Sequence, residues 1–146
     1  MTNEQNIADH LELRALVDRI SVLADQKDYN AQVPLFTPDA VIEITVDGEI
    51  IMQLSGRASM VEAFKSFNQS FTASYHLNGQ HLLKINGDVA EGTLYTQISL
   101  SSLKDGKKAR TIIGAVYQDE YTRTSGKWLI KVRRGAFLWQ EKAIIE

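Results

Sequence analysis

Residues 83–128 read LKINGDVAEGTLYTQISLSSLKDGKKARTIIGAVYQDEYTRTSGKW, and the punctuation of this stretch decides the fold. Asn86-Gly87, Asp105-Gly106 and Ser125-Gly126 each separate runs rich in Val, Ile, Thr, Tyr and Leu, and Asp47-Gly48 is a fourth signal of the same kind upstream. Gly preceded by Asn or Asp tolerates the positive φ that tight hairpin turns demand. Strands are therefore expected near 40–46, 49–54, 75–85, 89–103, 108–123 and 127–140. Hairpins this short make neighbouring strands antiparallel, which excludes a doubly wound nucleotide-binding sheet. Several of the runs exceed the usual five or six residues. With Gly79, Gly92 and Gly114 inside them, they imply a strongly curved sheet.

Working outward, the first 35 residues read as helix. Thr2 and Gln5 have capping-box spacing, and Leu13, Leu16, Val17, Ile20, Leu23 and Ala24 recur at three- and four-residue steps. Asp28, Tyr29 and Asn30 weaken that pattern. Val33 to Phe36 resumes it for about one turn, and Thr37-Pro38-Asp39 stops it. A second long helix lies between the strand pairs, with Met60, Phe64, Phe67 and Phe71 on one face. The expected architecture is α+β: a cone-shaped, curved antiparallel sheet of about six strands wrapped around N-terminal helices, with an internal pocket. Such a concave space is where function is sought.

The chain has 146 residues, 44% hydrophobic and 23% charged, which predicts one globular domain spanning residues 1–146. A chain of this length buries about 70% of its unfolded surface, so its core needs no staples. The absence of Cys removes disulfides, a thiol nucleophile and any Cys-ligated metal or iron–sulfur site. A net charge of −2 makes nucleic acid or an anionic membrane a poor default partner. The polar start MTNEQNIADH does not read as a signal peptide, and no run approaches a membrane span, so the expectation is a cytoplasmic protein.

No phosphate loop, dinucleotide fingerprint, serine nucleophile elbow or HExxH motif is present. His10, His76 and His81 are too scattered to predict a metal site. His76 opens a strand directly after the Phe-rich helix, a place for a general acid–base on the wall of the concave space. A half-buried structural histidine is the alternative. His81 is ambiguous, because a bulge near Gly79 reverses its face. Asp25 and Asp28 stand where the helix dipole disfavours acids. Either they are solvated there, or one carboxylate meets His76, fixing its tautomer and raising the basicity of the other nitrogen. At 100° per residue, Asp25 lies about 130° from the centre of the apolar stripe, so that dyad needs the cavity on another side of the helix end.

Tyr117, Asp119 and Tyr121 share a strand face. A three-residue last hairpin loop pairs Asp119 with Arg133, whereas a two-residue loop pairs Arg133 with Gln118. A buried Asp119–Arg133 pair reads as structural more readily than as catalytic.

These pieces together resemble a SnoaL-like member of the nuclear transport factor 2-like superfamily. The resemblance rests on Leu16-Val17-Asp18-Arg19, Asp25 and Asp28, residues 35–41 (LFTPDAV), Gly56-Arg57, His76 with Gly79, and Asn86-Gly87-Asp88 with Ala90 and Gly92. It continues through Tyr117 with Asp119, Gly126 with Trp128, and Arg133. The pattern is similar to scytalone dehydratase, bile acid 7α-dehydratase and the small β subunits of ring-hydroxylating dioxygenases. It implies a deep pocket for a small hydrophobic ligand, a homo-oligomer, no cofactor and no metal. Its dehydratases imply an Asp, here Asp25, orienting a catalytic base, here His76. Tyr117 becomes a substitute donor, and Asp119, Arg133, Phe64 and Leu100 become substrate contacts. The tyrosines those dehydratases use fall on Ile20 and Ala24, and a second sheet histidine falls near Leu100. The implied activity is a cofactor-independent dehydratase or isomerase; a non-catalytic ligand-binding module or a structural subunit is the alternative.

Overall fold

A computed structural model describes residues 2–145. Thr2 caps the first helix, α1 (Asn3–Asp25), its side chain accepting the Gln5 N–H. Such a cap contributes about 1 kcal/mol. Leu13, Leu16, Val17 and Ile20 form the buried stripe of α1, each worth roughly 1.5–3 kcal/mol on burial. Lys27, at φ 57°, ends the helix, and its ammonium donates to the Phe71 carbonyl at 2.6 Å. Asp28 then caps a single turn, α2 (Tyr29–Gln32), accepting the Ala31 N–H, before a 3₁₀ turn at Val33–Leu35.

The strands are β1 (Phe36–Val46), β2 (Glu49–Ser55), β3 (Ala73–Asn86), β4 (Val89–Lys104), β5 (Lys107–Thr124) and β6 (Lys127–Ile145), with α3 (Arg57–Asn68) between β2 and β3. All four expected hairpin turns form, with positive φ at Asp47-Gly48, Asp105-Gly106, Ser125-Gly126 and Gly87. The sheet order is β2-β1-β6-β5-β4-β3. Expectation and structure differ in one pair. β1 runs parallel to β6, so the sheet is mixed and open rather than wholly antiparallel. β1 also starts earlier than its Pro suggested. Pro38 sits where the β1–β6 register slips between Phe36 and Val41, the kind of irregularity that accommodates a residue without an N–H. α3 stops at Asn68, leaving Phe71 beyond its end, and of its apolar face only Met60 is fully buried.

Two bulges re-aim side chains. One at Gly79-Gln80 separates the pairs Asn78–Thr96 and His81–Leu94, turning His81, Leu83 and Ile85 inward. The other leaves Lys131 unpaired between Glu120–Val132 and Tyr121–Ile130. The last hairpin thus has a two-residue loop and still pairs Asp119 with Arg133. A bulge supplies the extra residue that loop counting assigned to the turn.

The concave face of the sheet carries Leu94, Ile98, Leu100, Ile113, Ala115, Tyr117 and Ile130, which close over α1 and α3. Tyr75, Leu77, Tyr95 and Trp139 lie exposed on the convex face. Trp139 crosses the sheet above Gly114, where a Cβ would stand 2.3 Å from its ring. No described helix is long and apolar enough to cross a membrane.

Candidate functional site

The site begins with how α1 lies along β3. Arg14, Asp18, Ser21 and Asp25 follow each other at 4-3-4 spacing, within about 60° of one another at 100° per residue, and form a polar stripe beside the apolar one. Each meets β3 in turn. The Arg14 guanidinium donates to the Gly79 and Asn78 carbonyls at 2.6 and 3.1 Å. The Asn78 amide donates to Asp18 Oδ1 at 3.0 Å and to Ser21 Oγ at 3.1 Å. At the helix end, Asp25 Oδ2 accepts the His76 backbone N–H at 3.0 Å, while Oδ1 accepts the Ser74 hydroxyl at 3.1 Å. His76 Nδ1 lies 2.6 Å from Asp25 Oδ1. Asp25 therefore needs no place in the apolar stripe. The second stripe delivers it, which removes the helical-wheel objection.

Burial alone would raise the Asp25 pKa. The hydrogen bonds from the His76 ring, the His76 N–H and Ser74, together with the imidazole charge, outweigh burial and hold the carboxyl below its ordinary range. An ionised Asp25 only accepts, so in the neutral form of the His76 ring the proton belongs on Nδ1 and the lone pair on Nε2.

The His76 ring lines a cavity of about 130 Å³. That is many times the ~10–15 Å³ required by one water. Most of the wall is apolar, including Ile20, Ile44, Ile98 and Ile113, with the expected Phe64 and Leu100 among them. Tyr117 and Arg133 reach it from β5 and β6. The Arg133 guanidinium carbon stands 4.4 Å from the centre of the Tyr117 ring, and Gly135 makes room beneath that ring, since a Cβ there would lie 2.6 Å from Tyr117 Cε1.

Asp119 stands apart from the other expected contacts. It does not line the cavity. Its carboxylate lies behind Arg133, fully buried, accepting Arg133 Nε and Nη2 at 2.8 Å each and the Tyr121 hydroxyl at 2.7 Å. Through these bonds it holds the Arg133 guanidinium in place. Burial would weaken the Arg133 charge, but the facing Asp119 outweighs it and raises the guanidinium pKa. Burial also raises the phenol of Tyr117, so both groups face the cavity as proton-carrying donors. His81 is kept out of this chemistry. Its Nε2 is 3.0 Å from Tyr121 Oη, and burial lowers its pKa.

Two cavity residues escape a reading of the sequence. Tyr29 and Gln32 are spaced i, i+3 on α2 and are 9% and 5% exposed. Both line the cavity. Neither Tyr29 Oη nor Gln32 Oε1 has a hydrogen-bond partner among the described residues. Burial raises the Tyr29 phenol, and Asn68 nearby offsets this only in part, without completing a hydrogen bond. A buried polar group left unpaired costs about 1–3 kcal/mol. A four-residue helix is too short for its periodicity to show in the sequence. The one local signal is that Asp28 is a good N-cap, which sets the face of the turn behind it.

Residues 5–134 match the SnoaL-like domain model, so the chain belongs to the SnoaL-like domain family. A similar sequence is the uncharacterized protein Rv2910c of Mycobacterium tuberculosis, 27% identical over 92% of this chain and 88% of that one. Among solved structures, the Kfla4162 protein of Kribbella flavida superposes with a TM-score of 0.83 at 20% identity, covering 93% of this chain and 95% of that one. A putative scytalone dehydratase from Novosphingobium aromaticivorans gives 0.83 at 14% identity, over 99% and 94%. A hexachlorocyclohexane dehydrochlorinase (LinA) type 2 gives 0.82 at 16% identity, over 97% and 93%. At these identities the structural likenesses establish the fold, which hosts more than one activity.

Proposed function

We propose that this chain is a cofactor-independent lyase or isomerase that removes a proton from a small, largely apolar ring. The observation that carries the reading is the Asp25–His76 pair, 2.6 Å apart, with the imidazole on the wall of the cavity. His76 Nε2 takes a proton from a carbon next to an electron-withdrawing group. The electron pair left behind forms a double bond, and the neighbouring substituent departs with its own bonding pair. Asp25 holds the tautomer and stabilises the imidazolium that results. Arg133 and Tyr117 are the donors for the oxygen or halide that gains charge. The dehydratase and dehydrochlorinase named among the structural neighbours suggest eliminations of this kind, and they support the reading through fold alone. An unfilled cavity favours it over a purely structural subunit, whose interior would be packed solid. A homo-oligomer is proposed on the resemblance together with the exposed Tyr75, Leu77, Tyr95 and Trp139, an apolar face that a second copy would cover.

The test uses 5-nitrobenzisoxazole, whose ring opening requires only a general base in an apolar space. Wild type should open it with saturable kinetics, and His76→Ala should lose about 10²–10⁴-fold while keeping its far-UV circular dichroism. A folded His76→Ala variant as fast as wild type, or a wild type no faster than imidazole in buffer, would sink the proposal.

A further inference from the structure

The chamber does not end at its apolar wall. Ile51, Phe67, Leu100, Ile113 and Phe137 line both the chamber and an open groove of about 1270 Å³ beyond it, so the two are continuous. The floor of the groove is the outer part of the concave face, on β4, β5 and β6. Its charged lining is Lys104, Lys107 and Lys142 against the single carboxylate of Asp105. We propose that this groove holds an acidic side arm of the ligand: an apolar ring sits in the chamber beside His76, and a carboxylate on its tail lies outside, against Lys142.

Strand alternation selects these lysines. Lys107, Ala109 and Thr111 share the face of β5 that carries Ile113, whereas Lys108 and Arg110 alternate to the other face and do not line the groove. Lys104 and Lys107 are direct cross-strand partners. Like charges placed so destabilise a sheet, and a nearby anion relieves the repulsion. None of the three lysines is in a salt bridge among the described residues. The chain as a whole carries −2, so this local positive excess is not a general property of its surface. Lys142 stands beside Thr111, which is two residues, about 7 Å, from Ile113 at the mouth. Lys107 is six residues from Ile113, about 20 Å further out. Lys142 is therefore the contact, and the pair at the hairpin tip adds to the field that draws an anion in. The interior does the opposite. Asp25 is ionised there, and the Arg133 charge is already matched by Asp119. An acidic tail thus orients the ring, being unfavourable inside and favourable outside. No arginine lines the groove, so it offers point charges without the planar fork that favours phosphate, which suits a carboxylate.

This inference rests on the proposed use of the cavity as the ligand chamber, but it is read by equilibrium binding rather than turnover. Phenylbutyrate and its uncharged counterpart phenylbutanol are titrated by ligand-observed NMR against wild type, Lys142→Gln and the double variant Lys104→Gln/Lys107→Gln. All three lysines are exposed, so these variants leave the core untouched. At an ionic strength of about 10 mM, where the screening length is about 30 Å, wild type should bind the acid about fivefold more tightly than the alcohol. That preference should disappear in Lys142→Gln, shrink in the double variant and vanish for wild type at about 1 M salt. The affinity of the alcohol should be the same in all three proteins. Three results overturn the proposal: a wild type that does not bind the acid or does not prefer it at low salt, a preference unchanged in both variants, or parallel weakening of acid and alcohol. A preference for the acid without His76-dependent ring opening removes the lyase reading and leaves the groove. Ring opening without the preference keeps the base and removes the acidic arm.

Discussion

Removing the side chain of Arg133 gives a prediction whose size follows from the structure and whose assay needs no substrate. Asp119 is 0% exposed at its side chain and Arg133 8%, and they are joined by two hydrogen bonds of 2.8 Å. In Arg133→Met, Asp119 keeps only the Tyr121 hydroxyl, at 2.7 Å, as a side-chain partner. Two unit charges about 4 Å apart at an effective dielectric of about 20 attract by about 4 kcal/mol. That agrees with the roughly 3–5 kcal/mol lost when one member of a buried pair is removed. Against a total stability of about 5–15 kcal/mol, the loss is large. With a urea slope near 2 kcal/mol/M, the midpoint should move down by about 2 M. Asp119→Leu should cost a similar amount, because it leaves a buried cation. The double variant removes both charges and should be more stable than either single one. Urea melts followed by circular dichroism measure all four proteins. If the two losses simply add in the double variant, the pair is not coupled, and the assignment of Asp119 as the holder of Arg133 is wrong.

Two further outcomes are expected. Asp9 is fully buried and accepts from Arg123 at 2.6 Å, from Gln5 at 2.9 Å and from Trp128 at 3.3 Å; burial alone would raise its pKa, but these partners lower it below the ordinary 3.8. A depressed carboxyl contributes stability that is complete above the unfolded value and lost as pH falls through the folded one, so Asp9→Asn should lose less stability than wild type between pH 5 and about pH 2, measured by urea melts at each pH. Gly135→Ala would put a Cβ 2.6 Å from Tyr117 Cε1 and 2.8 Å from Ile44 Cδ1, and should cost about 1–3 kcal/mol by overpacking while pushing the Tyr117 ring into the cavity, read as weakened toluene binding by NMR titration.

The hairpins were legible because turn chemistry is local: Asp47-Gly48, Asn86-Gly87, Asp105-Gly106 and Ser125-Gly126 carry their own instructions. The parallel pairing of β1 with β6 has no such local mark, since it depends on which free edge the last strand meets. Gly79 hinted at the bulge beside His81, whereas nothing around Lys131 announced the one that pairs Asp119 with Arg133. Asp25 and His76 were nameable as candidates, but the reason they meet lay in Arg14, Asp18 and Ser21, charged and polar residues that a search for apolar periodicity passes over. Tyr29 stood out only as one of three residues, with Asp28 and Asn30, that weaken the helical pattern, and Gln32 carried no mark of its own. Their burial depends on α3 and the sheet closing around them, which no window of neighbouring residues contains.

The parallel seam has a consequence for how the chain is made. Thr45 meets Gly135 across 90 positions, so β1 and β2 leave the ribosome long before the strand that completes them. Until then one edge of β1 offers unsatisfied N–H and C=O groups to any passing polypeptide, and pairing this distant in sequence forms slowly. Arg133 and Gly135 arrive on that same final strand. The chamber is therefore finished only once β6 has emerged, and nascent chains stopped short of it should be targets for chaperones.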